Sequence, residues 1–383
     1  MRKIVLFLIF ASLSANTNLS AEASPKINTA CSKEGIKKSI NNQKLICRKS
    51  KNGLKWEKVE KSNINETVPK KIRTQFEILA SQNNVTGKSL REFNLYSEKT
   101  TSKSSPAKYV FSPNSDSSYQ EFIKAIIEKT FQYFAEDYKD TRDLPVVYGT
   151  VEDLEWLLDY LTANNLVDAW IPNEYREDVK RNGEKTNRGS SDVWGDSRNQ
   201  INILRGNKNP KVGEADRAFI AHEFVHAVQN DIAGGQSNIP CWTAEGGASF
   251  FGNAISARYY QGDYIRMRYW NLQMVGDGQL KLYPWKYSDD QWIDSFKRLE
   301  KRGDLCSYDA RISYGIGIAM TELMVADKGV KTLMEWWATG KTSEGWRNGF
   351  KRLYGYDLDT WYLEKALPYV KEVYAGNTPD KSP

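Results

Sequence analysis

Only two histidines occur in 383 residues, which excludes any mechanism needing several imidazoles. No apolar run is long enough to span a bilayer. Charge of one sign is also scarce in excess: 54 Lys and Arg against 48 Asp and Glu leave +6. That is too little for charge to point to nucleic acid, and no nucleic-acid partner is expected. Several nucleotide and hydrolase signatures are missing. There is no Gly-x-x-x-x-Gly-Lys-Ser/Thr loop, and Gly315-Ile-Gly317 lacks the third glycine and preceding strand of a dinucleotide site. No Gly-x-Ser-x-Gly turn is present, and a Ser-His-Asp site would consume one of the two histidines. What is present suits a folded protein. With 40% hydrophobic residues, the length fits one large domain or two ordinary ones.

The start of the chain reads as a signal peptide over residues 1–23. Arg2 and Lys3 precede an apolar stretch from Ile4 to about Leu13, and Ala21-Glu22-Ala23 offers a cleavage site. A secreted or extracytoplasmic location follows, with cleavage near Ala23. There, four cysteines are expected as two disulfides, and of the three connectivities Cys31–Cys47 with Cys241–Cys306 is favoured. Residues 24–60 form a small basic module holding Cys31 and Cys47 and ending in Leu54-Lys55-Trp56. It resembles a short Cys…Cys…Trp-Lys module appended to secreted bacterial proteins, and no chemistry is implied. Residues 26–108 carry roughly +12 and residues 109–383 about −7. The basic part is a candidate contact for an anionic cell wall or membrane surface. Residues 61–116, rich in Ser, Asn, Lys and Thr, read as a linker or pro-region with one helix near Lys71–Ser81.

From residue 117 the pattern is that of a folded domain. Phe122, Ile126, Phe131 and Phe134 recur at helical spacing, Leu144–Gly149 reads as a buried strand, and Val151–Leu161 as a helix. Asn199–Leu204 alternates like a half-exposed strand, and helices follow to the C-terminus. Strands early and helices late predict an α+β domain with a small sheet over residues 117–383. Trp336, Trp337, Trp346 and Trp361 fall in predicted helices and read as core.

The chemistry concentrates at residues 217–232. Ala221, Val225, Val228 and Ile232 share one helix face, while His222, His226 and Gln229 share another. Pro210 precedes this helix and Gly234-Gly235 ends it. Histidines four apart point the same way and can bind one tetrahedral Zn²⁺ at about 2.0–2.1 Å each. Glu223 beside the first of them is placed to act as general base on a water. Two histidines leave the ion short of a protein ligand. A carboxylate, a thiolate or a partner's residue must complete it. Cys241 is a poor thiolate candidate, since an extracellular thiol near another cysteine tends to oxidise. Downstream, Pro240 and Thr243 read as a helix start with Thr243 as N-cap, which puts Glu245 in the first turn. Gly246, Gly247 and Ala248 are small enough for a close approach to the histidine helix.

His222-Glu-Phe-Val-His226 followed by Trp242-Thr-Ala-Glu-Gly-Gly-Ala248 resembles the gluzincin group of zinc metallopeptidases. The resemblance implies a zincin-like domain with a small N-terminal sheet and a helical C-terminal half. It implies one zinc per chain on His222, His226 and Glu245, with Glu223 as general base. Peptide-bond hydrolysis of a peptide or protein substrate is the implied activity. Relatives use a histidine or tyrosine as a second electrophile, so Tyr314 in Ser313-Tyr-Gly-Ile-Gly317 is the candidate, with Tyr308 and Arg311 as rivals. In such folds the strand before the zinc helix can pair with an extended substrate, and Asn199–Leu204 occupies that place. The rival reading is a surface-binding protein on a peptidase-like scaffold with a purely structural metal. Glu223 speaks against it, because a structural site has no need of a base beside its ligand.

Overall fold

The computed structural model describes residues 26, 29–40, 43–58, 73–97, 103–168, 171–194, 198–206, 213–275, 282–307 and 310–378. The expected signal peptide, Pro210 and Tyr308 lie outside the described residues. The chain forms two compact units, Met1–Lys71 and Ile72–Pro383. None of the described helices is long and apolar enough to cross a membrane.

In the first unit, β1 (Lys37–Ile40), β2 (Gln43–Ser50) and β3 (Gly53–Lys58) form an antiparallel meander. Cys47 lies opposite Trp56 in the β2–β3 register, and both are buried with Leu45. Three short strands cannot bury much apolar surface, so the Cys31–Cys47 bridge anticipated from the sequence is a main support. Closing its loop is worth about 3 kcal/mol of chain entropy.

The second unit begins at Ile72, well before residue 117. Thr74 and Glu77 form a capping box on α1 (Gln75–Ala80), and α2 (Val85–Ser97) follows. Phe76, Leu90 and Phe93 belong to the main core, where Phe93 stacks on Tyr133 with centroids 4.4 Å apart. Residues 73–97, read from sequence as part of a linker or pro-region, are therefore integral to this unit. Their polar composition hides a few apolar residues, of which these three are fully enclosed.

The sheet of this unit has the order β4-β5-β7-β6. Strands β4 (Ala107–Phe111), β5 (Leu144–Thr150) and β7 (Arg198–Arg205) are parallel, and β6 (Asn187–Trp194) runs antiparallel to β7 at the edge. All seven residues of β5 are buried, as a strand covered on both faces must be. Alternation divides the sheet's side chains. Val146, Tyr148, Ile201 and Ile203 join the core that contains α3 (Ser117–Phe134) and α6 (Glu214–Ala233). Val147 and Leu204 join α4 (Leu154–Ala163) and α5 (Ile171–Asn182) in a separate cluster.

Next come α7 (Cys241–Tyr260), α8 (Tyr264–Gln273), α9 (Asp289–Arg298), α10 (Ile312–Ala338), α11 (Gly345–Tyr354), α12 (Leu358–Trp361) and α13 (Leu367–Gly376). Helix α10 breaks at Gly329, whose φ of 79° lies in the left-handed region. The mixed α+β architecture agrees with the sequence reading. Trp336, Trp337 and Trp361 are buried, as expected of core residues.

Helices α7 and α10 meet backbone to backbone. A Cβ on Gly317 would overlap the Trp242 carbonyl oxygen, and one on Gly246 would overlap the Gly317 backbone. Gly317→Ala gains about 1 kcal/mol of helix propensity. The collision costs up to about 3 kcal/mol, because a backbone carbonyl cannot rotate aside like a side chain. A net loss of about 2 kcal/mol in denaturant unfolding is expected. Unchanged stability would show that the two helices slide apart freely.

Candidate metal centre

Helix α6 is buried on every side from Ile220 to Asn230. The Arg205–Asp216 ion pair at 2.6 Å joins its first turn to the end of β7, and Gly234, at φ 69°, caps its end. The burial gives the polar residues on this helix no water to fall back on. His222, Glu223, His226 and Gln229 are respectively 7%, 6%, 5% and 0% exposed. Each must find a partner inside the protein.

Gln229 finds three. Its amide nitrogen donates to the carbonyls of Ala244 at 3.0 Å and Thr243 at 3.3 Å, in the first turn of α7. That orientation leaves its Oε1 facing His226 Nδ1 at 2.8 Å, so Nδ1 carries the hydrogen and Nε2 keeps its lone pair. Ser249 Oγ stands 3.3 Å from His222 Nδ1 and can likewise take its hydrogen. The two Nε2 atoms are 2.9 Å apart, and Glu245 Oε2 lies 3.3 Å from that of His226 and 3.5 Å from that of His222. These three side chains form a group able to hold a metal ion.

The charges respond to this crowding. Burial and then the neighbouring His226 lower His222 to about 4. For Glu245, burial alone would raise the pKa, but His226 and then the facing imidazole of His222 hold it well below the usual carboxylate range. Burial pushes the Glu223 carboxyl up to about 7. Glu223 lies against the edge strand: a Cβ on Gly189 of β6 would stand 2.5 Å from Glu223 Oε1. Any other residue at 189 would crowd this carboxylate.

Tyr314 is brought to the group. Its ring stacks on that of His222, with centroids 5.5 Å apart and planes 12° apart. Burial, followed by the Glu245 and Glu223 charges, holds its phenol well above its ordinary pKa, so it is a hydrogen-bond donor at neutral pH. Arg311 sits just before α10 in a left-handed conformation, and its charge also reaches Tyr314. The Cys241–Cys306 bridge, as expected from the sequence, joins the start of α7 to the segment leading into α10.

Three local expectations need correction. Helix α7 starts at Cys241 with Pro240 as N-cap, because Thr243 spends its hydroxyl on Trp337 Nε1 at 2.9 Å. Glu245 therefore lies beyond the first turn, and its ionisation rests on the imidazoles rather than on the helix end. Gly246 serves the contact with α10, and a Cβ on Gly247 would meet Trp337 at 2.7 Å and Gln229 at 3.3 Å. The residue that lets α7 approach the backbone of α6 near His222 is Gly252. Finally, Asn199–Leu204 belongs to β7, bonded on one side to β5 and on the other to β6. It has no free edge for a substrate, because the chain's return into the sheet places β6 outside it.

The roles of Gln229, Ser249 and Gly189 were not assigned from the sequence. Gln229 had a signal, being a polar residue three after His226 on the same face of the helix. Ser249 lies one turn after Glu245, a weaker hint. Gly189 had none. No family model, curated protein or solved structure matches this chain.

Proposed function

We propose that the protein is a secreted, zinc-dependent peptidase of gluzincin type, with His222, His226 and Glu245 as ligands and Glu223 as general base. The observation that carries this reading is the convergence of three lone-pair donors, two buried imidazoles and a half-buried carboxylate. A tetrahedron with vertices about 2.0–2.1 Å from its centre has edges of about 3.3 Å. The separations of 2.9, 3.3 and 3.5 Å lie around that value. Two imidazoles and a carboxylate also suit zinc by donor type. Bound there, zinc would supply a Lewis acid that polarises a peptide carbonyl and acidifies a water.

The chain's own groups supply the rest. Glu223 would take a proton on its carboxylate and return it to the departing amine. Tyr314 would donate its phenolic hydrogen to the oxygen on which charge develops. Gln229 and Ser249 would hold the imidazoles in the tautomer that leaves both Nε2 atoms free to ligate. The two disulfides agree with an extracytoplasmic location.

Metal removal tests the reading. Dialysis against 1,10-phenanthroline is expected to abolish hydrolysis of a mixed peptide library, and one equivalent of Zn²⁺ to restore it. Full activity in protein shown metal-free by atomic emission would refute it.

A further inference from the structure

The edge strand is sealed by the protein itself one step past Glu223. Gly206 N donates to Thr186 O at 2.7 Å, which extends the β6–β7 ladder by one pair and fixes its phase. Alternation then turns the peptide groups of Asn187, Gly189, Ser191 and Val193 outward. Gly189 lies against Glu223. At the next outward residue, Gln236 Nε2 donates to Ser191 O at 2.7 Å, so this carbonyl is already taken. Gln236 is itself buried and its backbone N–H is bonded to Asn230 Oδ1 at 3.0 Å.

Behind Gln236 stands Arg302. Its Nη2 donates to Gln236 Oε1 and lies 4.0 Å from Glu245 Oε1, beyond hydrogen-bond distance. Among the described residues, Gln236 is its one hydrogen-bond partner, and 44% of its side chain is exposed. A guanidinium has five donors in a planar fork that matches a carboxylate. The loop carrying Arg302 is fastened on both sides: Trp242 N donates to Leu299 O at 3.1 Å, and Cys306 is bridged to Cys241. A cation is thus held beside the Glu245 carboxylate, next to the part of the edge strand that Gln236 covers.

We propose that Arg302 is a specificity-determining residue that binds a substrate carboxylate next to the scissile bond, on the side of the site where Gln236 covers the Ser191 carbonyl. This rests on the peptidase reading above. The carboxylate has two sources, a free chain terminus or an acidic side chain, and the test separates them. Paired peptides differing only in a free against an amidated C-terminus form one arm. Pairs differing only in Glu against Gln beside the cleaved bond form the other. In one arm the wild-type protein is expected to favour the carboxylate member about tenfold or more in kcat/KM, with the difference mainly in KM. Arg302→Gln should erase that preference and Arg302→Lys should restore part of it, both with zinc content unchanged.

A readout independent of turnover is the binding of N-acetylglutamate against N-acetylglutamine α-amide, which carries no carboxylate, to the zinc-loaded protein, followed by calorimetry. The wild type should favour the glutamate compound, and Arg302→Gln should bind both alike. Equal cleavage within every pair, or a preference that survives Arg302→Gln, overturns the proposal while the peptidase reading stands. Loss of zinc in Arg302→Gln also overturns it, by making Arg302 a positioning residue for Glu245. A wild-type protein that cleaves no peptide overturns both.

Discussion

Glu223→Gln is expected to keep its metal and to lose hydrolysis by about two to four orders of magnitude. The size follows from the proton transfer, since an amide cannot accept the proton that the carboxylate would take. The retention of metal follows from the structure, because Glu223 is outside the group of three converging donors. Folding should be unharmed. Glutamine has nearly the same shape, and the buried carboxylate it replaces is pushed up in pKa by burial and by Glu245, so its charge is poorly accommodated. Elemental analysis and single-turnover cleavage of the same sample check both halves. Equal activity in the two proteins would remove Glu223 from the chemistry and favour a site whose metal is structural.

His226→Ala should act on the other half of the site. His226 contacts both remaining donors, and its Nδ1 is the atom that Gln229 holds. Disturbing a group that merely orients a ligand typically costs about 10–100-fold in metal affinity, so deleting the ligand itself should cost more than about 100-fold. Stoichiometric metal is expected to disappear from the purified variant, with its circular dichroism little changed at 25 °C. The main core is apolar and independent of the imidazole, so the fold should survive. A variant that still carries one equivalent of zinc would move the metal site elsewhere.

The group of converging donors was legible because it is mostly local. His222, Glu223 and His226 share one helix, where a spacing of four fixes direction whatever else the chain does. Glu245 was legible through the residues around it. Tyr314 needed more than spacing, since a chain with 21 tyrosines offers many candidates and a family resemblance singled it out. Long-range features were not legible. Which strand is the free edge depends on where β6 inserts, and no local pattern in Asn199–Leu204 carries that information. Arg302 reaches the site through a loop bridged to Cys241, so its position follows from a disulfide and not from any helix or strand period. Of the helices at 75–97, α1 lies within the helix expected near Lys71–Ser81, whereas α2 and the part both play in the core were obscured by composition. Only a few large apolar side chains mark them, and it is tertiary burial that makes those few sufficient.

The burial of Phe76, Leu90 and Phe93 has a consequence for maturation by proteolysis. An activation peptide is dispensable once cut, whereas these rings are bricks of the core that also holds α10, the helix on which Tyr314 stands. Trimming upstream of Ile72 would leave that core whole. Excision of 73–97 would open it to solvent.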